Sequence, residues 1–178
     1  MLRNQGILPF AVGLLCLWHL GLRAYSLPIP MTSDEGEYAY QARLLSEGGV
    51  PYREAYCQKP PMVFFLYRLA YAAPGAKARP GSALPARLLA ALFSCAAMVL
   101  LFLLTPSGWG AASRLCAPAA FAALSVEPIG DLFSANTEVF LCAFLSFAAL
   151  ALLRALSEER KGLAMLWLLA CGVSCGAA

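Results

Sequence analysis

Apolar residues run almost unbroken over residues 6–25, 86–104, 111–126, 132–153 and 162–178. Each run approaches the ~20 residues that cross a bilayer as a helix, so the pattern predicts five membrane spans at about those positions. Residues 26–85 break the pattern and read as one long polar loop. Leu27-Pro28-Ile29-Pro30 opens that loop, because two prolines remove backbone donors and restrict the residues before them. Thr32 or Ser33 then serves as N-cap of a short amphipathic helix over residues 34–47. Tyr38, Ala42 and Leu45 fall on one side of it, Gln41 and Arg43 elsewhere, and Gly48-Gly49 supplies the stop. Pro60-Pro61 suits the first turn of a second short helix over residues 62–72, too short to span. Both short helices are expected in the membrane–water interface.

The first run is longer than a signal-peptide core and lacks a small-residue cleavage pattern, so it is expected to be retained, with Trp18, His19 and Tyr25 near its exit. His19, the only histidine, reads as a packing or interfacial residue. Residues 74–85 form a Pro/Gly-rich connection holding Lys77 and Arg79. Arg87, at the start of the second span, is expected to snorkel. Pro118 would kink the third span, and Glu127-Pro128-Ile129-Gly130-Asp131 makes an acidic turn after it. Asn136-Thr137-Glu138 lies in the first turns of the fourth. Glu138, about two turns into an apolar segment, is either an intramembrane functional residue or a solvated residue close to the outer interface.

The basic residues Arg114, Arg154, Arg160 and Lys161 occupy short loops, whereas residues 127–138 contain no Lys or Arg. By the positive-inside rule the N-terminus is cytoplasmic and the loop 26–85 faces outward. That loop itself holds six basic residues, nearly balanced by five acids, and its length weakens the rule there.

Composition reinforces the membrane reading. The chain is 61% hydrophobic and 13% charged, with mean hydropathy +0.69, outside the range of ordinary soluble domains. A formal charge of +3 without a basic, aromatic-laced stripe gives no reason to expect nucleic acid. Six of the seven cysteines sit in apolar runs and only Cys57 in the polar loop, which argues against a disulfide framework. Cys171 and Cys175 share a helix face but have no nearby His or acid, and read as packing residues; no metal site is expected from the cysteines.

The chemistry concentrates in Ser33-Asp34-Glu35-Gly36-Glu37-Tyr38-Ala39-Tyr40 and Gln58-Lys59-Pro60-Pro61. A carboxylate at the membrane surface can act as general base toward a hydroxyl, and Asp34 is the candidate. Lys59 is a compact cation able to sit against a phosphate, its approach fixed by the two prolines. The alternative is structural: acids favour the first turn of a helix, and Thr32 with Glu35 fits a capping box. Both readings stay open for Glu35 and Glu37.

In these residues the chain resembles the GT-C class of membrane glycosyltransferases, of the glycosyltransferase family 39 type that includes protein O-mannosyltransferases and aminoarabinose transferases. The likeness rests on an apolar first span followed by Asp34-Glu35-Gly36-Glu37-Tyr38-Ala39, then Arg43-Leu44-Leu45-Ser46-Glu47-Gly48-Gly49 with Pro51-Tyr52, then Gln58-Lys59-Pro60-Pro61. It covers residues 6–153. It implies an all-α, multi-pass transmembrane enzyme of the cell (inner) membrane that transfers sugar, with inversion, from a polyprenyl-phosphate donor to a hydroxyl of a protein or glycolipid acceptor. Asp34 would be the catalytic aspartate and Glu35 the second acid of the pair. Lys59 and Tyr38 would hold the donor phosphate, Asn136 and Glu138 would form a polar patch at the outer end of a span, and in some relatives a divalent cation lies nearby. Such enzymes continue through further spans, so residues 1–178 are expected to be the N-terminal module of a longer one. Two rivals from other classes remain: a small transporter subunit using Glu138 and Arg87, and a non-catalytic membrane partner that binds lipid phosphate.

Overall fold

The structure is a computed structural model describing residues 7–72, 81–126 and 133–178. The regular elements among the described residues are all helices: α1 Ile7–Ala24, α2 Ser33–Ser46, α3 Met62–Ala72, α4 Leu84–Leu104, α5 Ala111–Leu124, α6 Thr137–Ser157 and α7 Lys161–Ala177. The expected acidic turn at residues 127–131, together with Lys77 and Arg79, lies outside the described residues.

Three helices, α1, α4 and α6, are long and apolar enough to cross a membrane, and they suggest a membrane protein. The expected third span is shorter than a full crossing: the 14 residues of α5, at ~1.5 Å per residue, reach about 21 Å against a hydrocarbon core of ~30 Å. The outward faces are greasy: Ile7, Phe10, Leu14 and Leu17 of α1 are exposed, as are Leu163, Leu166, Leu169 and Val173 of α7. Apolar surface on that scale is not stable against water.

α4 is the hub. It packs against α1, α3, α5 and α6, while α7 covers α6 and α2 lies on α3. The main core fills the junction of α2, α3, α4 and the start of α6, with Tyr38, Val63, Phe64, Tyr67, Ala86, Ala90, Ala135 and Phe140 buried together. Alanines on α4 let α3 approach closely, and the aromatic rings fill the remaining space, Tyr38 meeting Tyr67 edge-on at 5.5 Å.

Both short helices form where expected. α2 starts with the capping box: Thr32 Oγ1 accepts from the Glu35 N–H at 3.3 Å, and Glu35 Oε2 accepts from the Thr32 N–H at 3.0 Å. Gly48 ends the segment at φ +84, a conformation that favours glycine. The burial of α2 differs from the sequence-based expectation. Glu35 and Gln41 are wholly buried beside Tyr38 and Ala42, so its inner face is partly polar rather than a simple apolar stripe.

α6 departs most from its expected bounds, starting at Thr137 rather than near residue 132. The stretch before it is held non-helical by bonds to its backbone. Arg23 donates to the carbonyls of Phe133 and Ser134, Tyr67 donates to that of Ala135 at 3.0 Å, and the Ala135 N–H donates to Glu35 at 2.9 Å. Glu138 consequently sits in the first turn of α6, half-exposed, and not two turns into the apolar segment. Of its two readings, this placement favours the residue near the end of the helix and open to solvent.

Candidate functional site

Four of the residues singled out in the sequence come together at the end of the bundle where α2, the 47–61 loop and α6 meet. Asp34 is in the first turn of α2 and Tyr38 one turn later, so both face the same side. Tyr38 Oη donates to Asp34 Oδ2 at 3.2 Å, and Thr137 Oγ1 donates to Tyr38 Oη at 3.4 Å. Lys59 Nζ lies 3.4 Å from Glu138 Oε1 and 4.0 Å from Asp34 Oδ2. Residues up to 104 positions apart thus share one cluster at the edge of the apolar layer. Asn136 is buried as the N-cap residue of α6, immediately behind it.

The electrostatics follow from this placement. Partial burial alone would lower the affinity of Lys59 for its proton, but Tyr38, Glu138 and Asp34 outweigh that and hold its pKa above the ordinary value. Burial, together with the Asp34 charge, raises the Tyr38 phenol, against smaller opposing effects of Thr137 and Lys59. At neutral pH Lys59 is therefore an ammonium donor and Tyr38 a neutral phenol.

Lys59 is held by its backbone as well. Its N–H points to Cys57 Sγ at 3.5 Å, its carbonyl accepts from Tyr52 Oη at 2.7 Å, and Pro60-Pro61 follow directly. The Cys57 thiol beneath it is pushed up by burial and is not a ready nucleophile.

Glu35 goes elsewhere. Although adjacent to Asp34, its carboxylate is fully buried and takes both Arg87 Nε at 2.8 Å and Arg87 Nη2 at 2.5 Å. Arg87 also donates to the carbonyls of Ser26, Ile29 and Pro30. The expected snorkelling of Arg87 is thus corrected, since its guanidinium is sealed at 1% exposure in the protein interior. Burial would raise the Glu35 pKa, but the bonds from Arg87, Ala135 and Thr32 together bring it below the ordinary carboxylate value. Fixed on all sides, this carboxylate is not presented to the Asp34 cluster. Its geometry is that of a clamp joining the α1–α2 linker, α2, α4 and the approach to α6.

A divalent cation fits the cluster poorly. No group of three or more His, Cys, Asp and Glu gathers among the described residues, and the Lys59 ammonium stands against both carboxylates that could serve as ligands. An ammonium in that place opposes a second cation.

Two residues not singled out by sequence matter here. Arg23, buried in the last turn of α1, pins Ser125, Phe133 and Ser134 through their carbonyls; a charge near the end of an apolar run was its signal. Tyr67 anchors Ala135 and had no distinguishing signal among the aromatics of α3.

Comparison with protein-family models, with curated proteins and with solved structures gives no match for this chain.

Proposed function

We propose that the chain is the catalytic N-terminal module of a membrane glycosyltransferase that moves a sugar from a polyprenyl-phosphate donor to an acceptor hydroxyl, with inversion. The observation that carries this reading is the meeting of Asp34, Tyr38 and Lys59 at one end of the apolar bundle. A carboxylate can take the proton of an acceptor hydroxyl, and an ammonium on a flexible side chain can turn to meet a phosphate.

Asp34 takes the proton of the acceptor hydroxyl as its oxygen bonds to the anomeric carbon. The bond from that carbon to the phosphate oxygen breaks, and polyprenyl phosphate leaves with the electron pair. Tyr38 and Lys59 both lie against Asp34 Oδ2, which leaves Oδ1 as the oxygen to receive the proton. Lys59 offsets the charge that builds on the leaving phosphate, while the buried Tyr38 hydroxyl donates to Asp34 and orients it. Glu138 holds Lys59 at this edge before donor arrives, and Glu35 serves the fold.

The site belongs at the outer face of the cell membrane. One hydrogen-bonded network joins the end of α1, the start of α4 and the approach to α6, so these three ends lie on one side. Arg114 in the first turn of α5, Arg154 in the last turn of α6, and Arg160 and Lys161 at the start of α7 belong to the opposite, cytoplasmic side.

The test is transfer in reconstituted vesicles supplied with a panel of polyprenyl-phosphate hexoses and pentoses labelled in the sugar, with protein and glycolipid acceptors. Asp34→Asn is expected to reduce transfer by roughly 10²- to 10⁴-fold with insertion and folding intact. Unchanged transfer by that variant would remove Asp34 from the reaction.

A further inference from the structure

Tyr52 is the one non-glycine residue among the described positions with a left-handed backbone, at φ 66. A bulky side chain is disfavoured there, and glycine or asparagine would satisfy the turn without the steric conflict. The turn nonetheless carries tyrosine, and its phenol is engaged. Tyr52 Oη donates to the Lys59 carbonyl at 2.7 Å, while its ring leans on Phe64 of the core at 5.7 Å between centroids. The Tyr52 N–H closes the turn on the Ala55 carbonyl at 3.1 Å, and the same carbonyl takes the side-chain amide of the buried Gln41 at 3.2 Å. Phe64 in turn contacts the Tyr38 ring at 6.4 Å. A strained residue thus bridges the core to the backbone of Lys59, and strain held in place by surrounding contacts is found where geometry serves function.

We infer that Tyr52 is a positioning residue for Lys59: its left-handed turn aims the phenol back at the Lys59 carbonyl and so sets where the ammonium stands between Asp34 and Glu138. The backbone of Lys59 is then tied from both directions, by Tyr52 at its carbonyl and by Cys57 at its N–H, immediately before the two prolines stiffen the chain. The side chain departs from a fixed base, so less of its freedom is lost when it meets an anion. Tyr52 need not touch donor or acceptor. This inference rests on the glycosyl-transfer reading only for what the ammonium does, not for how it is placed.

The experiment has two readouts on the full chain in nanodiscs. In the first, lysine acylation is followed by mass spectrometry, with Lys161 as internal control. Tyr52→Phe, which keeps the ring and removes only the hydroxyl, is expected to speed modification of Lys59 roughly three- to tenfold, the effect of losing one net hydrogen bond, with Lys161 unchanged. Equal Lys59 rates in Tyr52→Phe and wild type would overturn the inference. In the second, binding of polyprenyl phosphate alone is measured for wild type, Tyr52→Phe, Lys59→Met and the double variant. Tyr52→Phe should weaken binding by a similar factor, and that effect should vanish in the Lys59→Met background, because a residue acting through Lys59 has nothing left to position. A Tyr52→Phe loss that persists without Lys59 would overturn the inference by showing a direct or general structural role. If Lys59→Met binds as well as wild type, the phosphate-binding reading fails, while the acylation rates still decide the role of Tyr52.

Discussion

Asp34 and Glu35 are neighbours in the sequence with the same charge and nearly the same side chain, yet they have opposite environments. Asp34 is about half-exposed and meets Lys59 and Tyr38 at the edge of the bundle. Glu35 is sealed from solvent and paired two-pronged with a buried arginine. The cause is the 100° step between successive helical residues. Once the capping box fixes where α2 starts, position three turns inward toward α4 and position two turns outward toward the loop. An ion pair with no water to compete organises backbone, while one at the edge stays available to a ligand. Glu35 thus ties the start of α2 to α4 and to the approach to α6.

The sharpest way to break this comparison is to remove Arg87. With Glu35 left charged and buried, Arg87→Met should cost about 3–5 kcal/mol of folding stability, read as a lowered midpoint of thermal unfolding in detergent. Adding Glu35→Gln to that variant should recover a large part of the loss, because the unpaired charge is then gone. If Arg87→Met unfolds with the wild-type midpoint, the clamp is not what holds the linker, α2 and α4 together.

A smaller effect is expected from pH. The Glu35 pKa is depressed in the folded protein below its ordinary 4.5, so the fold favours the ionised form. Its contribution to stability is complete above about pH 4.5 and is lost as pH falls through the depressed value. Unfolding midpoints measured from pH 6 down to pH 3 should therefore fall for wild type. They should fall less steeply for Glu35→Gln, which has no carboxyl to protonate there. Parallel curves for the two proteins would show that other groups govern acid sensitivity.

Much of the fold was legible because its signals are local. The bounds of α3 follow from Pro60-Pro61 and a short apolar run, and those of α2 from Thr32, Glu35 and Gly48, each acting over a few residues. The meeting of Lys59 with Glu138 and of Glu35 with Arg87 spans 79 and 52 positions, and nothing in the spacing encodes either pair. Hydropathy also misplaced the start of α6. Phe133 and Ala135 count as apolar and extend the run, but their backbone groups are taken by Arg23, Tyr67 and Glu35, which keeps them out of the helix. Arg87 was misread for a related reason. An arginine at the edge of an apolar run resembles one reaching for water until a carboxylate and three carbonyls are found around it.

The finest test of the comparison is at Glu138, where the exposed cluster should behave unlike the buried one. Its side chain is 54% exposed and that of Lys59 25%, so solvent and salt screen the pair. Glu138→Gln keeps the shape and removes one charge, and should change folding stability by no more than ~0.5 kcal/mol. Its effect on anion binding should have the opposite sign to that of removing Lys59. Under the proposed function Glu138 would compete with an incoming phosphate for the ammonium, and an exposed pair of this kind contributes roughly 0.2–1 kcal/mol, so its loss should tighten polyprenyl phosphate binding by about 1.5- to 5-fold at low salt. The gain should shrink as ionic strength rises, because the competing interaction is itself screened. Weaker binding in Glu138→Gln would mean that the carboxylate aims Lys59 at the phosphate more than it withholds it. The edge cluster would then resemble the interior clamp in being valuable mainly for the geometry it fixes.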